Sequence, residues 1–330
     1  MKVKLTELRR VTEKAILHYG YNKEESEIIL DVLLYAQLRG NNQGIVKLIG
    51  GGIPKDPQAG EIETVRETKL SALINGNWNH GMVVLKKAVD AVLERARQHG
   101  FGIVGTFNTN TSTGAIGYFA RRLAEEDLVS FVFAGSPPIV CVHGSYEPIF
   151  GTNPVAIGLP SDGDPVVLDM ATAAMAWYGL VEAKTAGRSI PNDVAYDNMG
   201  NLTTDPSQAL EGAIRPFDRG YKGAGLSTIF EILTGPLVAA SFAGIGEVRR
   251  NSGNLVFAID PELLVDRSEF KESVSSLVQR VKRTKKLPGV DAIYVPGERG
   301  DNLTRGVLQS GEIDIEDNLY AELKRVVGEL

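Results

Sequence analysis

The chain of 330 residues holds one cysteine, four histidines and two tryptophans, and aromatic residues make up only 7% of it. A lone thiol, Cys141, rules out an internal disulfide and any cysteine-rich metal site, and it suits a reducing cytoplasm. No metal site is expected. No apolar run reaches the roughly 18 residues a membrane helix needs, and the opening MKVKLTELRR is charged, without the apolar stretch of a secretory signal. Basic residues are not in excess. Lys and Arg number 35 against 41 Asp and Glu, a net charge of -6 with a pI near 5.4, which argues against nucleic acid or an anionic membrane as partner. The densest basic run, RVKRTKK at 280–286, reads as a solvated helix end. These absences leave a cytoplasmic globular protein.

With 43% hydrophobic residues, a chain of this length buries a sizeable core and divides into two domains. Leu5, Leu8, Val11, Ala15 and Ile16 recur at helical spacing, and Ile28, Ile29, Val32, Leu33 and Ala36 repeat the period after a break at Gly20, so a helical hairpin is expected. RGNNQGIVKLIGGGIP (39–54) reads by composition as a helix-ending loop. Mixed α/β character begins near Thr64, with strands expected at 71–75 and 102–107 around a helix at 82–99, a helix at 114–126 and a strand at 128–133. The polar run NTNTSTG ahead of the 114–126 helix fits capping and equally fits a polar ligand near a helix N-terminus. Residues 136–178 alternate short Val/Ile/Leu runs with Gly, Pro, Asn and Asp clusters. They read as closely spaced strands and turns presenting backbone N–H groups, suited to a phosphate-bearing cofactor. Further helices are expected at 179–186, 226–241, 266–283 and 316–327, with a strand at 254–259. The charged terminal helices place 1–65 and 286–330 in one helical domain and 66–285 in a central α/β domain.

Two glycine clusters need chemical reading. Gly100-Phe-Gly-Ile-Val-Gly105 matches G-x-G-x-x-G by letters, but a helix precedes it and a strand follows. The dinucleotide fingerprint requires strand, turn and then helix, so this match is rejected. RGYKGAG (219–225) opens an apolar helix, where N-terminal amides, the helix dipole and the Lys222 ammonium together suit an anionic oxygen.

The words SPP (136–138), FGTNPVAIGLP (150–160), LDMAT (168–172), GNLTTDP (200–206), GYKGAGL (220–226) and PGE (296–298) run through most of the chain. As a set they resemble the type 2 malate/L-lactate dehydrogenase family, which includes sulfolactate, ureidoglycolate and diketogulonate oxidoreductases and a piperideine/pyrroline-2-carboxylate reductase. The resemblance implies a non-Rossmann nicotinamide-binding fold, NAD or NADP as cofactor and a homodimer. It also implies a cofactor site at Ser136, Leu168, Asp169, Met170, Ala171, Thr172, Ala173, Ala174, Tyr221, Lys222, Gly297 and Glu298.

The departures fall at the catalytic positions. The family's word of roughly L-R-G-x-x-S-H-G-x-x-R carries a proton-donating His and a carboxylate-binding Arg; the aligned letters here are Gln43 and Lys47. A second family histidine, in N-H-F-G-x-x-G-Y, aligns with Ser112. Ketone reduction leaves an alkoxide that wants a proton donor titrating near the working pH, which Gln43 cannot be. A protonated imine brings its own proton, so positioning by Gln43, Ser112 and Lys47 suffices. The expected activity is therefore NAD(P)H-dependent reduction of the C=N or C=O bond of a small 2-imino or 2-oxo carboxylate, imines preferred. Competing readings are a 2-hydroxy acid dehydrogenase whose acid has moved to His143, where the family has Trp, a non-catalytic cofactor-binding paralogue, and a purely structural dimer module. His80 reads as a turn residue, and His18 and His99 as helix-end residues.

Overall fold

The computed structural model describes residues 1–110, 112–246 and 251–329. The hairpin is present as α1 (Leu5–His18) and α2 (Lys23–Leu38), whose buried faces carry Leu8, Val11, Ala15, Ile29, Val32 and Leu33. Asn22 caps α2 reciprocally with Glu25, each side chain satisfying a backbone N–H of the other. The Gly- and Asn-rich segment then turns through a short 3-10 helix, Ile45–Leu48, all four residues of which are buried.

α3 (Gly81–His99) and α4 (Gly117–Glu125) lie on one face of a seven-stranded sheet. Its order is Glu63–Glu67, Ser71–Asn75, Phe101–Thr109, Ser252–Ile259, Val129–Ala134, Val155–Leu159, Val166–Met170. Alternation builds both faces: Val132, Ala134, Val256 and Ala258 join the core under α3 and α4, while Phe131, Phe133, Leu255 and Phe257 point to the other side. Among the described residues only Ser71–Asn75 and Phe101–Thr109 pair parallel in this sheet. Gly100 closes α3 in the left-handed region (φ +76°) and Phe101 begins the strand, so the G-x-G-x-x-G letters run from helix end into strand. Gly102 instead lets α3 sit close, since a Cβ there would lie 2.7 Å from the Val92 carbonyl oxygen.

α5 (Trp177–Thr185) and α6 (Pro206–Glu211) pack with a small sheet of Val140–Cys141, Pro148–Phe150, Ala195–Tyr196 and Ala213–Ile214 around a second core. α7 (Tyr221–Thr234) covers the far face of the large sheet. It starts five residues before the expected 226–241 helix and stops at Gly235–Pro236, where proline lacks the donor needed to continue. α8 (Arg267–Lys282) has no buried residue. α9 (Glu298–Ser310) is a helix the sequence reading missed, and α10 (Asp317–Val326) ends the fold. Among the described residues no helix is long and apolar enough to cross a membrane.

The chain ends meet. Lys2–Lys4 pairs antiparallel with Glu312–Asp314, and the Met1 amino group donates to the Ile315 carbonyl at 2.7 Å. A buried ion cluster ties α9 to the rest: Asp301 pairs with Arg39 beyond α2 and, at 2.7 Å, with Arg121 on α4, all three side chains being largely buried. Removing one partner of a buried cluster strands the others in a poorly solvated place. Asp301→Ala is therefore expected to lower unfolding free energy by about 3 kcal/mol, read as a lower urea midpoint with an unchanged slope; a loss under about 0.5 kcal/mol would mean the cluster behaves as a surface network.

Candidate active site

A cavity of about 390 Å³ opens between the loop after α2, the loop before α4, the Val166–Met170 strand end and the start of α5. Its position follows from local chemistry. The Gln37 side-chain carbonyl accepts the Ile45 N–H at 3.1 Å and holds the 3-10 turn against α2. Gly44 lets the turn sit close to α2, since a Cβ there would lie 3.1 Å from the Gln37 Cα and would displace the Gln37 side-chain oxygen that holds Ile45. The turn thereby drives Lys47 inward until its side chain is only 1% exposed.

Lys47 Nζ donates to Ser112 Oγ at 2.8 Å and lies 3.5 Å from the centre of the Tyr178 ring. Among the described residues no carboxylate comes within ion-pair reach of it. Burial pushes the ammonium well below its ordinary pKa. Ser112 Oγ also accepts the Gly114 N–H at 3.2 Å. Behind it stands His80, the N-cap of α3, fully enclosed, its two ring nitrogens each 3.3 Å from a backbone amide, those of Met82 and Ser112. A neutral imidazole accepts from only one of them at a time. Burial first, then the charge of Lys47, push His80 down to about 3, so the ring is neutral.

Across the cavity Asp169 Oδ2 accepts the Gly117 N–H at 2.8 Å. Its side chain keeps surface open to the cavity but lies deep in the protein; burial raises its pKa to about 6 against the opposing Gly117 bond. Water in the cavity offsets part of that rise, and the upward direction stands. Ser252 and Asn254 are also among the lining residues, and their Oγ and Oδ1, both buried, have no hydrogen-bond partner among the described residues. Asn254 Nδ2 donates to Thr106 Oγ1 at 2.8 Å, which leaves its oxygen free.

Of the residues singled out from sequence, Gln43, Lys47, Ser112, Ser136, Asp169, Met170 and Ala171 line this cavity. Gln43 reaches only Asn42, at 3.4 Å. Leu168 pairs with Ile157 in the sheet, Thr172 is buried and donates to the Thr152 carbonyl, Ala173 belongs to the second core, and the Ala174 N–H donates to the Arg215 carbonyl. Gly297 (φ +89°) packs beside Val167, and Glu298 is ion-paired to Lys282. Tyr221 and Lys222 are exposed at the start of α7. The amides there are already used: Gly220 and Gly223 N–H donate to Asp218 Oδ1 at 2.9 and 3.0 Å. A carboxylate of the chain itself thus sits at this helix start and takes the Gly220 and Gly223 amides. His143 is exposed on the loop between Val140–Cys141 and Pro148–Phe150 and does not line the cavity. His80, read from sequence as a turn residue, is the N-cap of α3 and lies behind Ser112; an asparagine–histidine pair directly before a periodic apolar helix is the signal of that capping position.

The chain belongs to the malate/L-lactate dehydrogenase family, whose profile matches residues 3–324. It is an oxidoreductase. It is 37% identical over 329 residues to the L-sulfolactate dehydrogenase of Methanothermobacter thermautotrophicus, covering 95% of this chain and 93% of that protein. The delta(1)-pyrroline-2-carboxylate/delta(1)-piperideine-2-carboxylate reductase of Pseudomonas aeruginosa is 29% identical over 283 residues, 81% of this chain and 84% of that protein. The solved sulfolactate dehydrogenase of Methanocaldococcus jannaschii superposes with a TM-score of 0.82 at 31% identity, covering 100% of this chain and 97% of that one.

The raised Asp169 pKa carries a stability consequence. The folded state holds this proton more tightly than the unfolded chain, so the unfavourable contribution of Asp169 grows as pH rises from about 4 to about 6 and then levels. Asp169→Asn removes it. The variant is expected to gain stability relative to the parent over that window, by about 1 kcal/mol or less once cavity water is allowed for. Thermal melts at pH 4 and 7 check this; an equal shift at both would show that Asp169 is not the titrating group.

Proposed function

We propose that this protein uses a reduced nicotinamide dinucleotide, NADH or NADPH, to reduce the C=N or C=O bond of a small 2-imino or 2-oxo carboxylate, with cyclic imines as the better substrates. The observation that carries this reading is Lys47, an amine enclosed in the cavity wall with no carboxylate to balance it. A substrate carboxylate supplies the missing charge, held as by a point cation and more loosely than by a bidentate arginine. Ser112 and Gln43 flank the same space and offer hydrogen bonds to the group at C2.

The residues present fit the nicotinamide end of the cofactor. The free oxygens of Ser252 and Asn254 match the N–H donors of a carboxamide, and Pro137, Ile139, Met170 and Ala171 offer apolar surface to a flat ring. When bound, the cofactor supplies the hydride. Lys47 and Asp169 are the only charged groups among the described lining residues, so we place the phosphates outside this cavity. Gly297 and Glu298, next to Val167, and Tyr221 with Lys222 remain the candidates for the rest of the dinucleotide.

Imines are favoured because an iminium nitrogen already carries its proton, and Gln43, an amide, has none to give. Gln43 and Lys47 come from residues 1–65 and Ser112 and Asp169 from 66–285, so the proposed domain division places substrate at the seam. α7 exposes Leu226, Ile229 and Ile232, an apolar face suited to a second copy of the chain in a homodimer. The buried lone thiol fits a cytoplasmic setting.

The test is a panel of 2-oxo acids, cyclic 2-imino acids and 2-oxo acids with added amine, each with NADH and NADPH. Imines are expected to turn over faster than the matching ketones, and Gln43→His to raise ketone turnover by about tenfold or more. Binding of a reduced cofactor, seen by its fluorescence, with no turnover of any panel member would instead favour the non-catalytic paralogue. Sedimentation velocity is expected to give a dimer, weakened by Ile229→Asp; a monomer at micromolar concentration would remove the proposed interface.

A further inference from the structure

We infer that Ser112 and Lys47 form a proton relay that replaces the family's imidazole acid, with the Ser112 hydroxyl as the group that protonates the reduced substrate and Lys47 as its reservoir. This rests on the reductase reading above and concerns its C=O substrates.

The argument starts with the hydrogen-bond capacity of one hydroxyl. A serine oxygen has two acceptor positions and one donor. Both acceptor positions of Ser112 Oγ are taken, by Lys47 Nζ at 2.8 Å and by the Gly114 N–H at 3.2 Å. What remains is its O–H, and Ser112 lines the cavity. The hydroxyl is thus fixed as a donor toward whatever oxygen occupies the site.

The second step is the amine. Lys47 is enclosed, has no carboxylate partner among the described residues and faces three groups: the Ser112 hydroxyl, the Tyr178 ring and, behind Ser112, the His80 imidazole. Asp169 is the one carboxylate lining the same cavity. His80 is neutral across the physiological range and supplies no proton. Burial raises the pKa of Tyr178 and keeps its hydroxyl neutral as well. The amine is therefore the group in this cluster whose charged form is most disfavoured as it stands, since burial draws its pKa well below its ordinary value. An arriving carboxylate reverses that effect, because the charged form gains an ion-pair partner. Substrate binding thereby loads the proton that reduction consumes.

The chemical step balances. The reduced nicotinamide gives hydride to C2 of the 2-oxo acid, the C=O π bond opens, and the electron pair moves to oxygen. That oxygen takes the Ser112 hydroxyl proton as the Ser112 O–H bond breaks. Ser112 Oγ takes a proton from Lys47 Nζ, leaving a neutral amine and the 2-hydroxy acid. Lys47 regains a proton from solvent with the next carboxylate. An iminium substrate needs none of this, so loss of the relay falls on ketones.

Two measurements test it. The first needs no turnover: oxamate, a non-reducible 2-oxo acid isostere, is titrated into the protein with NADH or NADPH present, by calorimetry at pH 8 in buffers of different ionisation enthalpy. The parent is expected to show net proton uptake on binding oxamate, because the ion pair favours the charged amine. Lys47→Met and Lys47→Arg abolish the uptake, the arginine variant still binding oxamate because its guanidinium stays charged. Ser112→Ala retains it. The second is the pH profile of ketone turnover, which falls on the alkaline side as Lys47 loses its proton; Lys47→Arg, whose guanidinium passes no proton on, lowers ketone turnover more than imine turnover. Ser112→Ala lowers the ratio of ketone to imine turnover by about 100-fold. Uptake that persists in both Lys47 variants overturns the reservoir, and equal losses on ketone and imine in Ser112→Ala overturn the donor. A panel with no turnover at all refutes the reductase reading, while the calorimetry still decides the titration of Lys47.

Discussion

An amine held out of water without a carboxylate partner is the constraint around which this site is arranged. Burying an ammonium costs several kcal/mol even after relaxation, and the contacts available to Lys47 repay only part of that. The Tyr178 ring face contributes a cation–π attraction and Ser112 a hydrogen bond. Nothing in the turn that carries Lys47 is free to relieve it. Gln37 clamps Ile45, Gly44 has no room for a side chain, and Val46 and Leu48 are buried on either side. The fold therefore draws this amine toward its neutral form at one wall of a small cavity, and an anionic ligand is what restores its charge.

The opposite wall shows the complementary case. Asp169 sits at the end of the Val166–Met170 strand, and among the described residues its carboxylate accepts one hydrogen bond, from the Gly117 amide. Burial pushes this acid up as it pushes Lys47 down, so two groups that would be firmly charged in water are both drawn toward neutrality across one cavity. Paired titratable groups displaced in this way mark sites where protons are handled. The neutral His80 belongs to the same environment: enclosed behind Ser112 and next to a cation, it serves as a cap for α3.

Periodic segments were the most legible part of the chain. Ser71–Asn75 matches its expected strand and α3 its expected helix to within a residue, because alternation and the 3.6-residue period report burial directly. The misses have local causes. α9 begins at Gly297–Glu298, where P-G-E reads as a turn, and it carries Gly300 and Gly306, which disfavour helix. α7 was placed late because its first turn, Tyr-Lys-Gly-Ala-Gly, is built from glycines that disfavour helix, and Asp218 at its start supplies the compensation from outside the window. The cavity residues Gln43, Lys47, Ser112 and Asp169 were reached through the resemblance and not through pattern. Spacing alone does not show that 65 residues of chain return Ser112 to Lys47. Ser252 and Asn254 were not reached at all, since small polar residues in a strand carry no mark of having an unpaired oxygen.

The letters that differ from the family word take on a joint meaning in this geometry. A guanidinium keeps its proton under all ordinary conditions, so an arginine at position 47 would anchor a carboxylate and leave protonation to a separate acid. A lysine there reaches a serine hydroxyl at 2.8 Å and, once buried, titrates. An imidazole at position 112 would meet this amine as a second cation whenever both were protonated, and at contact distance two positive charges in a poorly solvated wall repel strongly. Serine removes that conflict and still passes a proton. The exchanges at 47 and 112 are thus coupled through one electrostatic condition, a single titratable cation facing the cavity from that wall.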